Sequence, residues 1–241
     1  VHDWEEKLRD QLATLGLQET VNYRMTSADA QERLGSQGEF VKLANPSTPE
    51  KAVLRRSLMA SVLEVVEKNA RLRDSLAFFE IGPVFVPNKG DLPDEPRKLA
   101  IAMTGGRQLP AWDTSDAPEM DFYDLKGVTH AFLAGLGLKD IVYTPADTST
   151  QPGAAFHPGK SAQVTVNGKV VGAFGELHPI SAEKYEFADT PVLAAEFDLE
   201  TLRGVQPAYE ITPVPAFPPM HEDIALIVDE TLSAARVEGL I

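Results

Sequence analysis

One dipeptide, Asn167-Gly168, stands between two runs of alternating residues, Ser161–Val166 and Lys169–Phe174. Asn-Gly favours the type I′ turn, whose twist matches that of the strands it joins, so this segment predicts an antiparallel hairpin. Further strands are predicted at Glu19–Met25, Phe40–Ala44, Leu76–Val86, Lys98–Thr104 and Val192–Phe197. The turn-rich stretches Pro87-Asn88-Lys89-Gly90 and Pro93–Pro96 separate two of them, as Gly and Pro punctuate local structure. Strands outnumber helices and hairpin links dominate. The pattern predicts an α+β fold, a mainly antiparallel sheet flanked by helices.

The helices follow from period and caps. Asp3-Trp4-Glu5-Glu6 reads as a capping box; Trp4, Leu8, Leu12 and Leu15 recur at helical spacing, and Gly16 supplies a stop. A second helix is predicted from Pro49, with Leu54, Leu58, Val62, Val65 and Val66 on one face and Glu64, Glu67 and Lys68 opposite. Asp121–Gly135 presents Phe122, Leu125, Val128, Phe132 and Leu136 on one side, and Pro179–Tyr185 reads as a short helix. Between them, Gly105–Glu119 reads as a loop carrying Trp112. Burying such stripes contributes about 1.5–3 kcal/mol per large side chain. For the helix after Pro49, most of the stripe is expected to enter the domain's own core, and whatever the core leaves uncovered a subunit interface.

The texture changes after Leu202. Val205–Pro219 carries Pro207, Pro213, Pro215, Pro218 and Pro219 and reads as an extended linker. Glu222–Val228 then predicts a strand and Ser233–Ile241 the start of a helix. The division expected is a domain over 1–205 and, over 206–241, a linker with the opening of a truncated second domain. Val1 in place of Met points to a processed chain or an excised piece.

Composition excludes some chemistry. The 241 residues include no cysteine, so disulfides, thiolate metal sites and cysteine nucleophiles are out, which suits a cytoplasmic location. No apolar run approaches a membrane span, and no leader pattern opens the chain, so no membrane partner is expected. The net charge is −14, and Arg55-Arg56 and Arg71-Leu72-Arg73 are the densest basic groups. Binding of nucleic acid without help draws on a basic footprint that is missing here.

Catalytic patterns are also missing. His2, His130, His157, His178 and His221 show no ligand spacing. His157 and His178 each sit beside a proline, where a turn role explains them. Asp121 and Asp124 fit helix capping. Glu80 interrupts the apolar strand Phe78-Phe79-Glu80-Ile81-Gly82, facing outward or pairing with a buried arginine such as Arg55 or Arg56. Gly105-Gly106 and Gly135-Leu136-Gly137 match no phosphate-binding fingerprint. An autonomous enzyme using Glu80, His157 or His178 as acid or base, and a stand-alone RNA-binding paralogue, stay open as alternatives.

Several phrases in order resemble the β chains of bacterial-type phenylalanyl-tRNA synthetases. They are Gly16–Tyr23, Leu43–Pro46 with Leu54–Leu58, Phe79–Phe85, Asp121–Gly127, His157–Ala162 and Gly172–Pro179. The resemblance implies that 1–205 folds like a class II synthetase catalytic core that has lost its chemistry. Gly16–Val21 resembles class II motif 1 without its proline at Tyr23, Arg24 or Met25, and Leu76–Val86 resembles the motif 2 strand with Val86 where a catalytic chain has arginine. Nothing resembles the glycine-rich, arginine-terminated motif 3. Those arginines would hold ATP phosphates and offset developing charge. Phe217–Leu226 resembles the start of a ferredoxin-fold anticodon-binding domain, with His221 and Glu222 where the family has a basic pair, against a direct RNA contact there.

By resemblance, the full protein joins a catalytic α subunit in an α2β2 ligase that attaches phenylalanine to tRNA using ATP and magnesium. This chain would scaffold that reaction, with no catalytic, cofactor-binding or metal residue of its own. The Trp4–Leu15 helix and the segment through the 40s to 60s are the expected interface. The family's editing and N-terminal RNA-binding modules would lie upstream.

Overall fold

The computed structural model describes residues 2–35, 38–90, 92–108, 111–113, 118–149, 151–187, 190–208, 211, 214–232 and 234–240. Two compact units emerge, Val1–Ala208 and Tyr209–Ile241. The first begins with α1 (His2–Thr14), β1 (Gln18–Glu19), β2 (Met25–Thr26), α2 (Ala28–Glu32), a 3₁₀ turn at Pro49–Lys51, β3 (Val53–Leu54) and α3 (Leu58–Asn69). It continues with β4 (Ser75–Pro83), β5 (Arg97–Gly105), α4 (Phe122–Gly135), β6 (Val142–Pro145) and a 3₁₀ turn at Gly153–Ala155. β7 (Phe156–Val166), β8 (Lys169–Leu177), α5 (Pro179–Ala182), β9 (Val192–Asp198) and α6 (Leu199–Val205) complete it.

Seven strands form one sheet in the order β1-β4-β5-β9-β8-β7-β6, and β2 and β3 make a separate ribbon. β1 runs parallel to β4. The other neighbours in the large sheet are antiparallel. At the tip of the β7–β8 hairpin, Asn167 (φ 51°) and Gly168 (φ 73°) take the left-handed conformations of the expected turn.

Alternation divides the sheet into two dry faces. Phe79, Ile81, Leu99, Ile101, Phe174 and Phe197 pack against Leu8 and Leu12 of α1, Phe132 and Leu133 of α4, and Leu202 of α6. On the opposite face Ala100, Ala102, Ala173 and Ala194 are small, so α3 can lie close, burying Leu58, Met59, Val62, Leu63 and Val66.

Helix ends are chemically specified. Gly16 (φ 90°) closes α1 with Gly16 N–H to Ala13 O at 3.0 Å and Leu17 N–H to Leu12 O at 3.1 Å, the Schellman pattern. Gly137 (φ 77°) closes α4 likewise, through Ala134 O and Leu133 O. Asp121 caps α4 in a reciprocal box with Asp124.

The structure corrects several boundaries. α1 starts at His2, so Asp3 lies in its first turn and does not cap it. The helix expected from Pro49 begins only at Leu58, because Ser57 caps it and Leu54 is drawn into β3 opposite Met25. The Glu19–Met25 strand splits into β1 and β2, and Phe40–Ala44 reduces to a bridge between Lys42 and Val53. α5 stops at Ala182. In the Gly105–Glu119 loop, Gly106 bridges Glu119 and Trp112 is 99% exposed, while residues 109–110 and 114–117 lie outside the described residues.

In the second unit the strand expected at Glu222–Val228 does not form, and all seven residues are exposed. A strand needs a partner edge, and none pairs with it among the described residues. The described helix is α7, Ala234–Glu238. Between Gln206 and α7 the described residues form no helix or strand; Pro213, Ser233 and Ile241 lie outside them.

Candidate functional site

Three groups of polar side chains sit around the small-residue face of the sheet. The deepest joins Arg55 and Glu80, which are 2% and 3% exposed. Arg55 Nη1 donates to Glu80 Oε1 at 2.6 Å and Arg55 Nε donates to Pro83 O at 3.1 Å. Asn22 completes the carboxylate: its Nδ2 donates to Glu80 Oε2 at 2.8 Å and its backbone N–H to Oε1 at 3.3 Å. Of the two partners the sequence offered for Glu80, Arg55 is therefore the one that pairs. Arg56 turns away, donating to Glu39 O at 2.8 Å.

Glu196 of β9 lies one strand beyond β5 in the same row, because Ala100 pairs with both Glu80 and Glu196. Its Oε2 accepts from Ser57 Oγ at 2.6 Å and from Met59 N–H at 3.2 Å. A carboxylate there meets the positive end of the α3 dipole. Gln31 Oε1 accepts the Arg56 and Ser57 amides at 2.9 and 3.0 Å. Asn22, Gln31, Ser57 and Glu196 were not singled out from sequence. Ser57 ahead of the apolar run was a readable cap signal, and Glu196 interrupts its strand as Glu80 does.

The third group holds the far end of α3. Arg33 reaches Glu67 Oε1 at 2.7 Å and Oε2 at 3.0 Å, and stacks 3.8 Å from the centre of the Tyr185 ring. Glu186 N–H also donates to Glu67 at 2.7 Å. Burial opposes the Glu67 charge, yet Arg33 and that amide hold its carboxyl below the usual glutamate value. Burial pushes the Tyr185 phenol well above its ordinary range.

His157 and His178 come together, their ring centroids 6.4 Å apart and their planes inclined by 30°. Each Nδ1 accepts a backbone N–H two residues on, from Gly159 at 3.0 Å and Ile180 at 3.2 Å. The turn role holds, though each ring accepts an amide and does not bond a carbonyl. Glu80 lies elsewhere, bonded to Arg55 and Asn22, so the three residues of the enzyme alternative form no common centre. His178, Leu34, Thr148, Phe156, Ser181 and Lys184 contribute to a cleft of about 340 Å³. Among the described residues no group of three or more His, Asp or Glu could hold a metal ion.

The apolar stripes of the expected interface turn inward, while its residues 44–50 are exposed. Leu8 and Leu12 of α1 and the α3 stripe lie in the chain's own core. Trp4 packs partly against it and donates from Nε1 to Gln206 Oε1 at 2.8 Å. Beyond β1, however, Val21 is 88% and Tyr23 71% exposed.

Gly16–Val21 covers the exit of α1 and β1, and Leu76–Val86 covers most of β4 and the three residues after it. Val86 pairs its backbone with Asp94. Residues 2–199 match the family described as phenylalanyl tRNA synthetase beta chain CLM domain. The chain belongs to this family. Within the β-chain family it is 34% identical over 245 residues to the phenylalanine–tRNA ligase beta subunit of Halalkalibacterium halodurans, covering 98% of this chain and 29% of that one. It is 36% identical over 241 residues to the beta subunit of Symbiobacterium thermophilum, covering 97% and 26%. The chain thus spans under a third of the length of these relatives.

The β-chain core also shares its fold with a solved pyrrolysyl-tRNA synthetase from Desulfitobacterium hafniense, at a TM-score of 0.61 and 19% identity over 85% of this chain and 69% of that one. The α+β, class II synthetase-like architecture is therefore established. No helix among the described residues is long and apolar enough to cross a membrane.

Proposed function

We propose that this chain is the scaffolding core of a phenylalanine–tRNA ligase β subunit, acting in the cytoplasm beside a catalytic α subunit in an α2β2 enzyme. The α subunit performs the ATP- and magnesium-dependent attachment of phenylalanine to tRNA, and this chain holds it in register. Residues 206–241 supply a linker and the start of an anticodon-binding domain.

One observation carries the non-catalytic part of the reading. The sheet around β4, β5 and β9 is covered on both faces by the chain's own helices. On the α3 side the carboxylates of Glu80 and Glu196 are already bonded to Arg55, Asn22, Ser57 and Met59. On that face Arg55 is engaged by Glu80 and Pro83, and α3 packs over the alanines of β5, β8 and β9, which favours a supporting role over nucleotide binding. The net charge of −14 favours meeting RNA through a partner.

The partner surface that the reading favours is the β1 edge with Val21 and Tyr23. An edge strand presents unpaired backbone groups that another chain can use. The test is phenylalanine-dependent ATP–pyrophosphate exchange by the full-length protein, alone and with an α-type subunit. Exchange is expected only with the α subunit; exchange by this protein alone would overturn the scaffold reading.

A further inference from the structure

We propose that Asn167 is a modification site gated by the fold: its side-chain amide is kept while the β7–β8 hairpin is closed and is lost as ammonia when the hairpin opens, leaving aspartate or isoaspartate. The loss is a permanent mark of that opening.

The chemistry needs only the chain and water. The Gly168 nitrogen, having given its proton to solvent, attacks Cγ of Asn167. The new N–Cγ bond closes an imide ring as the bond from Cγ to the side-chain nitrogen breaks, and that nitrogen leaves as ammonia with a proton from water. Water then opens the ring. Breaking the N–Cγ bond restores an ordinary backbone with aspartate. Breaking the bond from that nitrogen to the Asn167 carbonyl carbon leaves isoaspartate, with an extra methylene in the main chain. Nothing is oxidised or reduced.

The chain holds five asparagines, and sequence separates them. Asn45 precedes Pro46, which has no N–H to give. Tyr23, Ala70 and Lys89 follow Asn22, Asn69 and Asn88, and their side chains crowd the attacking nitrogen. Those three amides are also engaged, each at 2.8 Å, by Glu80, Val65 O and Asp94. Asn167 alone is followed by glycine. It is exposed, and a β-carbon at Gly168 would meet nothing within 4 Å, so water reaches the turn.

Backbone conformation is what holds the reaction back. Val166 pairs with Lys169 across the two-residue turn, with Asn167 at φ 51° and Gly168 at φ 73°. A type I′ turn keeps ψ of its first central residue small and positive. That setting places the Gly168 nitrogen nearly opposite Asn167 Cβ, away from the carbon it must attack. Ring closure needs a large rotation about the Asn167 Cα–C bond, which the ladder on both sides prevents until the hairpin opens. Neither product fits back as well. Aspartate sets a charge where Asn167 Nδ2 now meets Val205 O at 3.5 Å, at the negative end of α6. Isoaspartate lengthens a turn close to Val166 and Val171, which are 1% and 0% exposed.

The experiment follows the full-length protein by peptide mass spectrometry in mildly alkaline buffer, folded and in guanidinium chloride, with isoaspartyl methyltransferase labelling to identify the isomer. In denaturant, Asn167 should lose its amide before the other four asparagines of this chain. Folded, it should react at least about tenfold more slowly, since only the open fraction is reactive. Val170→Gly, at an exposed position opposite Thr165, weakens the strand and leaves Asn-Gly intact. It should quicken the folded reaction and leave the denatured rate alone. The isoaspartate form should melt below the parent and below Asn167→Asp, which carries the charge without the methylene. Equal rates folded and denatured, or earlier loss at another of the five, would overturn the proposal. So would a folded rate unmoved by Val170→Gly, or an isoaspartate form that melts with the parent.

Discussion

The guanidinium of Arg55 lies directly over Gly82: a β-carbon at Gly82 would stand 2.6 Å from Arg55 Nη2, well inside contact distance. Arg55 is held by Glu80 and Pro83, so its far end cannot simply swing aside. Gly82→Ala should therefore cost about 1–3 kcal/mol, the usual range for overpacking. A urea unfolding curve superimposable on that of the parent would contradict this account.

Removing one half of the ion pair should be worse than removing both. Arg55→Met leaves the Glu80 charge buried without a counter-charge, at a cost of about 3–5 kcal/mol. Adding Glu80→Leu to it removes that charge, and most of the loss should return. Denaturant midpoints of the two single variants and the double variant form the cycle that decides it.

Stability should fall with acid partly through Glu67. Burial works against its charge, but the hydrogen bonds from Arg33 and Glu186 prevail, and its folded value lies below the ordinary 4.5. A depressed carboxyl contributes its stability above the unfolded value and loses it as pH falls through the folded one. Glu67→Gln should therefore be less stable at neutral pH, by about 1 kcal/mol for this partly exposed pair. The difference should shrink below pH 4.5. Thermal melts of both proteins across that interval test the sign.

The hairpin tip gives a sharper local prediction. Gly168 has φ 73°, and a β-carbon there meets no atom within 4 Å, so only backbone strain opposes substitution. Gly168→Ala should cost about 1 kcal/mol, the penalty for a left-handed L-residue. The melting temperature should drop without loss of sheet signal in circular dichroism.

Sequence reading did best where local chemistry and tertiary packing agree. Asn167-Gly168, the Asp121 cap and the Gly16 stop each act within a few residues, and the fold uses them as read. It fared worse where long-range contacts decide. Pro49 offered a helix start, but residues 52–57 are drawn into pairing with Met25 and into the Arg55 network, so the helix waits for Ser57. The short α2, β6 and α6 carried too little periodicity to be found. In the polar network, the two candidate partners of Glu80 were legible as a pair of adjacent arginines. Choosing between them required knowing that Gly82 leaves room for one guanidinium, and Asn22 had no local signal at all.

Gln11 of α1 donates to Phe132 O near the carboxyl end of α4 at 2.6 Å, resting on Gly135, where a β-carbon would lie 2.0 Å from the Gln11 amide. Both helices also finish by tucking an apolar residue back into the shared core. Joined at the crossing and anchored at their tails, neither helix can roll about its own axis without breaking the Gln11 bond to Phe132 O or unpacking Leu17 or Leu138.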